Sequence, residues 1–170
     1  MTREQAPEIR GIRLGMSTEQ ILGLFPDDTN RQRITEAIKD SKRVDSYGLG
    51  RFDLRPDKEA ANPKLAGINY ITVEVVDERV TSFQIEYAGT QWKTVDQFVA
   101  KLSEGLRLPS SSWERGDLSS HLKCDGFRVE AYAFQGSTQS LVRVRDTSAP
   151  QVVEDRREAA KEKARQAFKP

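Results

Sequence analysis

The stretch Leu118–Phe134, LSSHLKCDGFRVEAYAF, decides the fold. Asp125-Gly126 stands between two alternating apolar and polar runs, and such a dipeptide is the strongest short signal for a β-hairpin. We expect a two-residue turn there, with the apolar side chains on one face of the hairpin and the polar ones on the other. The cross-strand pairs are then Cys124 with Phe127, Leu122 with Val129, and His121 with Glu130.

A third strand extends this hairpin into a meander. We expect a four-residue loop, Gln135 to Thr138, followed by a strand over Gln139 to Arg145. This register sets Ala131 opposite Val142 and Val129 opposite Val144. The apolar face of the meander then contains Leu122, Cys124, Phe127, Val129, Val142 and Val144.

A second strand pair lies over Ile68 to Val76 and Val80 to Tyr87. A three-residue loop, Asp77 to Arg79, sets Val73 against Phe83 and Ile71 against Ile85. A two-residue loop would set Val73 against Ser82 instead. Only the first register gives one coherent apolar face, so we predict the three-residue loop. The polar face then holds Tyr70, Thr72, Glu74, Ser82, Gln84 and Glu86, and Tyr47 to Leu54 reads as a further strand.

Four helices are predicted around these strands. Ser17 to Gln20 and Thr94 to Gln97 are capping boxes, and Pro26 and Pro109 lie beyond the ends of the helices that they open. Another helix follows Thr29 and fades near Ser41 to Val44, before a loop over Arg55 to Ala66. Ala149-Pro150 opens an exposed terminal helix that ends at about Ala167.

Composition excludes several classes of function. The 170 residues form one ordinary domain or two small ones, and the net charge of +1 argues against general nucleic-acid binding. Cys124 is the only cysteine and His121 the only histidine, which excludes disulfides, cysteine-based zinc sites and multi-histidine metal sites. No apolar run approaches a membrane span, and Met1 to Glu8 does not have the pattern of a signal peptide. We therefore expect no cofactor and no metal.

The two capped helices suggest an internal repeat. Each of them precedes three strands, and the first half has an extra helix. We therefore predict an α+β fold of two helix-plus-antiparallel-meander repeats, with helices on one face of the sheet and an exposed C-terminal helix. The repeats cover residues 9–88 and 89–147, and the helical tail covers 148–170.

A resemblance to known families supports this architecture. Gly11 to Ser17, a helix ending at Phe25-Pro26, a second helix and a meander resemble the SmpA/OmlA (BamE) lipoprotein domain. The doubled arrangement resembles the β-lactamase-inhibitor-protein (BLIP) architecture. The chain lacks the lipobox cysteine of the first family and the cysteine pairs of the second. The resemblance implies a cell-envelope protein that binds other proteins through its sheet.

The polar face of the second meander is the candidate site. His121, Glu130 and Arg143 form one cross-strand row, Lys123, Arg128 and Arg145 form the next, and Tyr132 pairs with Leu141. A tyrosine with arginine neighbours is typical of an interface centre, and three adjacent cations favour an anionic patch on the partner. His121 beside Glu130 could instead be an acid/base pair, although no nucleophile or oxyanion hole accompanies them. The predicted partner-binding residues are Tyr132, Leu141, Arg128, Arg143, Arg145, His121, Glu130 and Tyr70.

We therefore expect a non-enzymatic protein-binding module, in the cell envelope or periplasm if a leader was removed. The alternative is a cytoplasmic small-ligand-binding or regulatory domain. A deep apolar pocket with convergent polar groups would favour the alternative. The tryptophans, Trp92 and Trp113, flank the third helix, where we expect them to pack against the helix ends.

Overall fold

A computed structural model of the chain describes residues 1–26, 28–43, 47–56, 62–89, 92–134 and 139–168. The four helices in these ranges are α1 (Thr18–Leu24), α2 (Asp28–Arg43), α3 (Val95–Leu106) and α4 (Ala149–Ala167). The strands are β1 (Leu49–Leu54), β2 (Ile68–Val76), β3 (Arg79–Tyr87), β4 (Trp113–Arg115), β5 (Ser119–Cys124), β6 (Phe127–Ala133) and β7 (Ser140–Asp146). The predicted loop over residues 135–138 lies outside the described residues, as does part of the predicted loop over 55–66.

The strands form one antiparallel sheet in the order β1-β2-β3-β7-β6-β5-β4. Its centre is the β3–β7 pair, in which Phe83 lies opposite Val144 and Ile85 opposite Val142. The α+β class and the antiparallel sheet are thus confirmed. One hydrophobic core contains residues of both halves of the chain, including the fully buried Ile71, Phe83, Phe127 and Val142.

The predicted registers of the second meander are confirmed. Leu122 lies opposite Val129 and Cys124 opposite Phe127, and Val129 lies opposite Val144. Cys124 is half-buried at the margin of the core, and burial raises the pKa of its thiol. The short edge strand β4 was not predicted, because its three residues are too few to show an alternating pattern.

The predicted register between β2 and β3 is confirmed, but the predicted loop length of three residues is wrong. Val73 lies opposite Phe83, as predicted, but β2 ends at Val76 and β3 begins at Arg79. Asp77 and Glu78 alone form the turn, and both have positive φ, as the type I′ hairpin turn requires. A bulge at Thr81, between the pairs of Glu74 and Val75, restores the alternation.

The helix starts follow the predicted capping. Ser17 Oγ accepts from the Gln20 backbone N–H at 3.2 Å, and the Gln20 side chain accepts from the Ser17 N–H at 2.9 Å. Thr94 Oγ1 caps α3 in the same way, but Gln97 reaches the N–H of Lys93 instead. Helix α2 packs on β1, and α3 packs on β5 and β6. These contacts place α2 and α3 over the apolar face of the sheet.

The prediction that the helices lie on one face of the sheet holds for α2 and α3 but is wrong for α4, whose first turns lie beside the polar face. Val76 has the same strand parity as Glu74, so its side chain points to the polar face of the sheet. It is nevertheless only 8% exposed, and it lines one cleft together with Val153 of α4, which is 7% exposed. From Lys161 to Phe168 the chain is exposed, as predicted. No helix in the described ranges has both the length and the apolar character needed to cross a membrane.

Candidate functional site

The candidate site is the polar face of the sheet, which is the face opposite α2 and α3. Strand pairing aligns its side chains in rows that cross the sheet. One row runs from Thr72 through Gln84, Arg143 and Glu130 to His121. The neighbouring rows contain the other predicted residues: Glu74, Ser82, Arg145, Arg128 and Lys123 on one side, and Tyr70, Glu86, Leu141 and Tyr132 on the other.

Three arginines surround one carboxylate near the centre of this face. Nη2 of Arg145 donates to Oε1 of Glu130 at 3.0 Å, and Nη1 of Arg143 lies 3.8 Å from Oε2. Nε of Arg128 lies 3.1 Å from Oε1, at an angle that does not make a hydrogen bond. We call Glu130 with these three arginines the arginine cluster. Its carboxylate is buried, whereas the side chains of Arg143 and Arg145 are 39% and 40% exposed.

The arginine cluster has an excess of two positive charges, since three guanidinium groups share one carboxylate. Gln84 supplies a further, uncharged acceptor: Arg143 donates to its side-chain oxygen through Nε at 3.1 Å and through Nη2 at 2.5 Å. These bonds hold the guanidinium in place without neutralising it. The partially exposed arginines therefore present a fixed positive patch to the solvent.

His121 is not the partner of Glu130 that an acid/base pair requires. The backbone register is as predicted, but Nε2 of His121 lies 2.7 Å from Oε2 of Glu114 on β4. Lys123 donates to the same oxygen at 3.0 Å. The hydrogen bonds from Lys123 and then His121 hold the pKa of Glu114 below its usual range. The acid/base hypothesis required a contact between the side chains of His121 and Glu130, and in the structure His121 pairs with Glu114 instead.

The aromatic part of the polar face lies beside the arginine cluster. Tyr132 on β6 is paired with Leu141 on β7, and both side chains are half-buried. Two exposed apolar residues adjoin β5 and β6. Phe134 directly follows β6 and is 40% exposed, whereas Leu118, which precedes β5 and is 54% exposed, lines a cleft beside Val95 at the start of α3. Sequence reasoning did not select these two, because a single exposed apolar residue next to a turn carries no pattern.

Tyr70 lies apart from this group. It is in the row of Tyr132 and Leu141 but on β2, three strands away, which is about 14 Å at the usual strand spacing. The guanidinium of Arg55 lies over its ring, 5.6 Å from the centroid. Burial and the nearby Asp53 carboxylate raise the pKa of the Tyr70 hydroxyl. The structure thus brings seven of the eight predicted residues together and leaves Tyr70 at a distance.

Helix α4 covers one end of the polar face. A cleft of about 350 Å³ lies between its first turns and the strands, and Glu74, Ser82 and Arg145 form part of its floor. Because the lining of the cleft ends at Arg145, the rows of Arg143 and Tyr132 remain open. Among the described residues, no group of three or more His, Cys, Asp or Glu side chains is arranged to hold a metal ion.

Comparisons of the chain with family models, with curated proteins and with solved structures find no significant match. The resemblance to the SmpA/OmlA and BLIP families therefore stays a prediction from the sequence.

Proposed function

We propose that the chain is a non-enzymatic protein-binding module of the cell envelope, and that it binds an acidic surface of another protein through the open part of its polar face. The observation that carries this proposal is the sharing of one buried carboxylate by Arg128, Arg143 and Arg145. An excess of positive charge held in fixed positions favours a partner with negative charge and steers its approach.

The neighbouring side chains support a protein as the partner. Tyr132 and Leu141 offer half-buried apolar surface next to the arginines, and Phe134, which directly follows β6, adds an exposed aromatic side chain. Tyrosine and arginine are enriched at the energetic centres of protein interfaces, where they are surrounded by apolar contacts that exclude water. A small polar anion would use the arginines but would leave the apolar residues uncovered.

We also propose that residues 9–88 and 89–147 are two repeats of one unit, followed by the tail 148–170. The strand order supports the repeat, since β3 and β7, the last strands of the two halves, pair antiparallel at the sheet centre. A doubled sheet offers a wider face than one meander does. The envelope location rests on the family resemblance alone, and a cytoplasmic location is its alternative.

A capture experiment with matched variants tests the binding proposal. The chain is immobilised and exposed to envelope extract from its source organism, with a photo-crosslinking residue at position 132 in a parallel sample. We expect Tyr132→Ala and Arg143→Gln to lose the captured protein at unchanged melting temperature, and the crosslinked peptide to be rich in Asp and Glu. Arg51→Gln, a control on the far strand of the same face, should keep the capture.

Salt provides the second arm of the test. Because the positive patch is partially exposed, high ionic strength should weaken capture mainly by slowing association. Equal capture by Tyr132→Ala and the wild-type chain, in low and high salt alike, would overturn the proposal.

A further inference from the structure

A second cleft, of about 320 Å³, lies on the helix-covered side of the sheet, where β3 ends and β7 begins beside α3. Its volume is at the lower end of the range for small-molecule sites in proteins. Three aromatic rings form its walls. Phe98 of α3 contacts Trp92 at 5.4 Å and Tyr87 at 6.2 Å between ring centroids, with the latter pair edge to face. The walls therefore suit a flat apolar ligand of one or two rings.

Two buried polar groups of the cleft have no partner. Ser140 is only 1% exposed, and its Oγ makes no hydrogen bond among the residues that the structure describes. The indole Nε1 of Trp92 is buried and equally unpaired within the same part of the chain. A buried polar group without a partner is rare in a native protein and calls for an explanation. Since an indole N–H can only donate and a serine O–H can donate, a ligand that satisfies both must bring acceptor atoms.

Two cations stand at the same cleft. The guanidinium of Arg10 lies 5.9 Å from the centroid of the Tyr87 ring, and Lys101 of α3 also lines the cleft. Arg10 has a φ of 58° and lies in a tight turn, which is closed by two hydrogen bonds between Ile9 and Ile12. The pair that Lys101 makes with Glu104 is largely exposed and contributes little to holding its side chain. Both cations are thus able to meet an anion in the cleft.

We propose that this cleft is a binding site for a small aromatic carboxylate. The ring system packs among Tyr87, Trp92 and Phe98, and oxygen acceptors of the ligand receive hydrogen bonds from Ser140 and Trp92. The carboxylate pairs with Arg10. This site lies on the opposite side of the sheet from the arginine cluster, so it does not depend on the proposed protein-binding function.

Trp92 serves as the reporter in the test. Trp113 is the second tryptophan, and its Nε1 is already bonded to Ser103 Oγ at 3.0 Å at the other end of α3. A Trp113→Phe background therefore isolates the emission of Trp92. The probes are benzoate, 4-hydroxybenzoate, indole-3-acetate and 2-naphthoate, each compared with its neutral primary amide by fluorescence titration and by the shift in melting temperature.

We expect saturable binding of at least one carboxylate, about tenfold weaker binding of its amide, and a similar loss in Arg10→Gln, as the removal of one charge-assisted contact predicts. Ser140→Ala should weaken binding without lowering the melting temperature of the free protein, since its hydroxyl has no partner to lose. Arg143→Gln on the polar face should bind as the wild type does. No saturable change at millimolar concentrations, equal binding of the amides, or an unaffected Arg10→Gln variant would overturn the proposal.

Discussion

Arg156 of α4 and Asp77 of the β2–β3 turn form a bidentate ion pair, with Nη1 2.9 Å from Oδ1 and Nη2 2.6 Å from Oδ2. Nη1 of the same arginine also donates to the backbone oxygen of Tyr47 at 2.9 Å. A residue of a tight hairpin turn thus fixes the last helix on the sheet. This anchor lies at the end of the polar face that α4 covers.

Asp77→Asn should loosen the docking of α4 on the sheet by a small amount, because the Asp77 side chain is 61% exposed, and it should not disturb the turn. Asparagine tolerates the positive φ of position 77 as well as aspartate does. It removes the charge that pairs with Arg156, so we expect faster amide hydrogen exchange in α4 around Val153 and unchanged exchange in β2 and β3. Glu158→Gln is the control, because it removes a similarly exposed carboxylate whose pair with Lys161 lies within α4 and does not join the helix to the sheet. Equal α4 protection in Asp77→Asn and the wild type would show that the anchor does not hold the helix.

Acid should weaken the contact between Asp77 and Arg156 in the same way. The hydrogen bonds from Arg156 hold the pKa of Asp77 below its ordinary value of 3.8 while the helix is docked. A depressed carboxyl pKa stabilises the docked state above the ordinary value, and this contribution is lost as the pH falls through the lowered one. The side-chain NMR signal of Arg156 should therefore shift below about pH 4. In Asp77→Asn the signal should not titrate there, and a shift of equal size would assign the transition to another group.

The register of the sheet could be predicted from the sequence, whereas the length of its second turn could not. A slip by one residue would turn Ile71 and Ile85 out of the core, so the apolar pattern specifies their pairing. The turn depends instead on two non-glycine residues, Asp77 and Glu78, that adopt positive φ, and on a bulge at Thr81. Several combinations of turn and bulge give the same pairing, and the hydrophobic pattern does not distinguish between them.

The cross-strand rows of the candidate site could be predicted from the sequence, but the side-chain contacts within and between the rows could not. Hairpin register placed Glu130 between His121 and Arg143, which the structure confirms. The side-chain partner of His121 was missed, because Glu114 reaches it from a strand too short to predict. The pairing of β3 with β7 was also missed, since it joins segments far apart in the chain. That pairing is what brings Gln84 to Arg143.

Glu130→Gln should destabilise the fold, because it removes the one carboxylate that separates three arginines. Hydrogen bonds to a charged group contribute about 1.5–3 kcal/mol, and we expect a loss at the lower end because the arginines are partially exposed. Since the remaining arginines repel one another, added NaCl should recover part of the loss. Urea denaturation at low and high salt measures both effects.

Glu114→Gln is the matched control for Glu130→Gln. It also removes a carboxylate that contacts more than one basic side chain of this face, but Glu114 is exposed. Its denaturation midpoint should stay close to that of the wild type at every salt concentration. If the two variants behave alike, then burial of Glu130 does not set the strength of the arginine cluster.

Gly126→Val should disrupt the hairpin that decides the fold. Gly126 has a φ of 81°, in the left-handed region that costs a residue with a Cβ about 1–2 kcal/mol, and more when the side chain is β-branched. A Cβ at this position would also lie 3.2 Å from the Cβ of Arg3. Arg3 in turn pairs with the buried Asp146 at 2.7 Å, so a displaced Arg3 weakens a second contact of the sheet.

Gly126→Asn separates the backbone effect from the steric effect, because asparagine tolerates the backbone conformation but still brings the Cβ. We expect the urea midpoint to fall furthest in Gly126→Val and less in Gly126→Asn, whereas a midpoint unchanged in both variants would show that this turn does not require glycine.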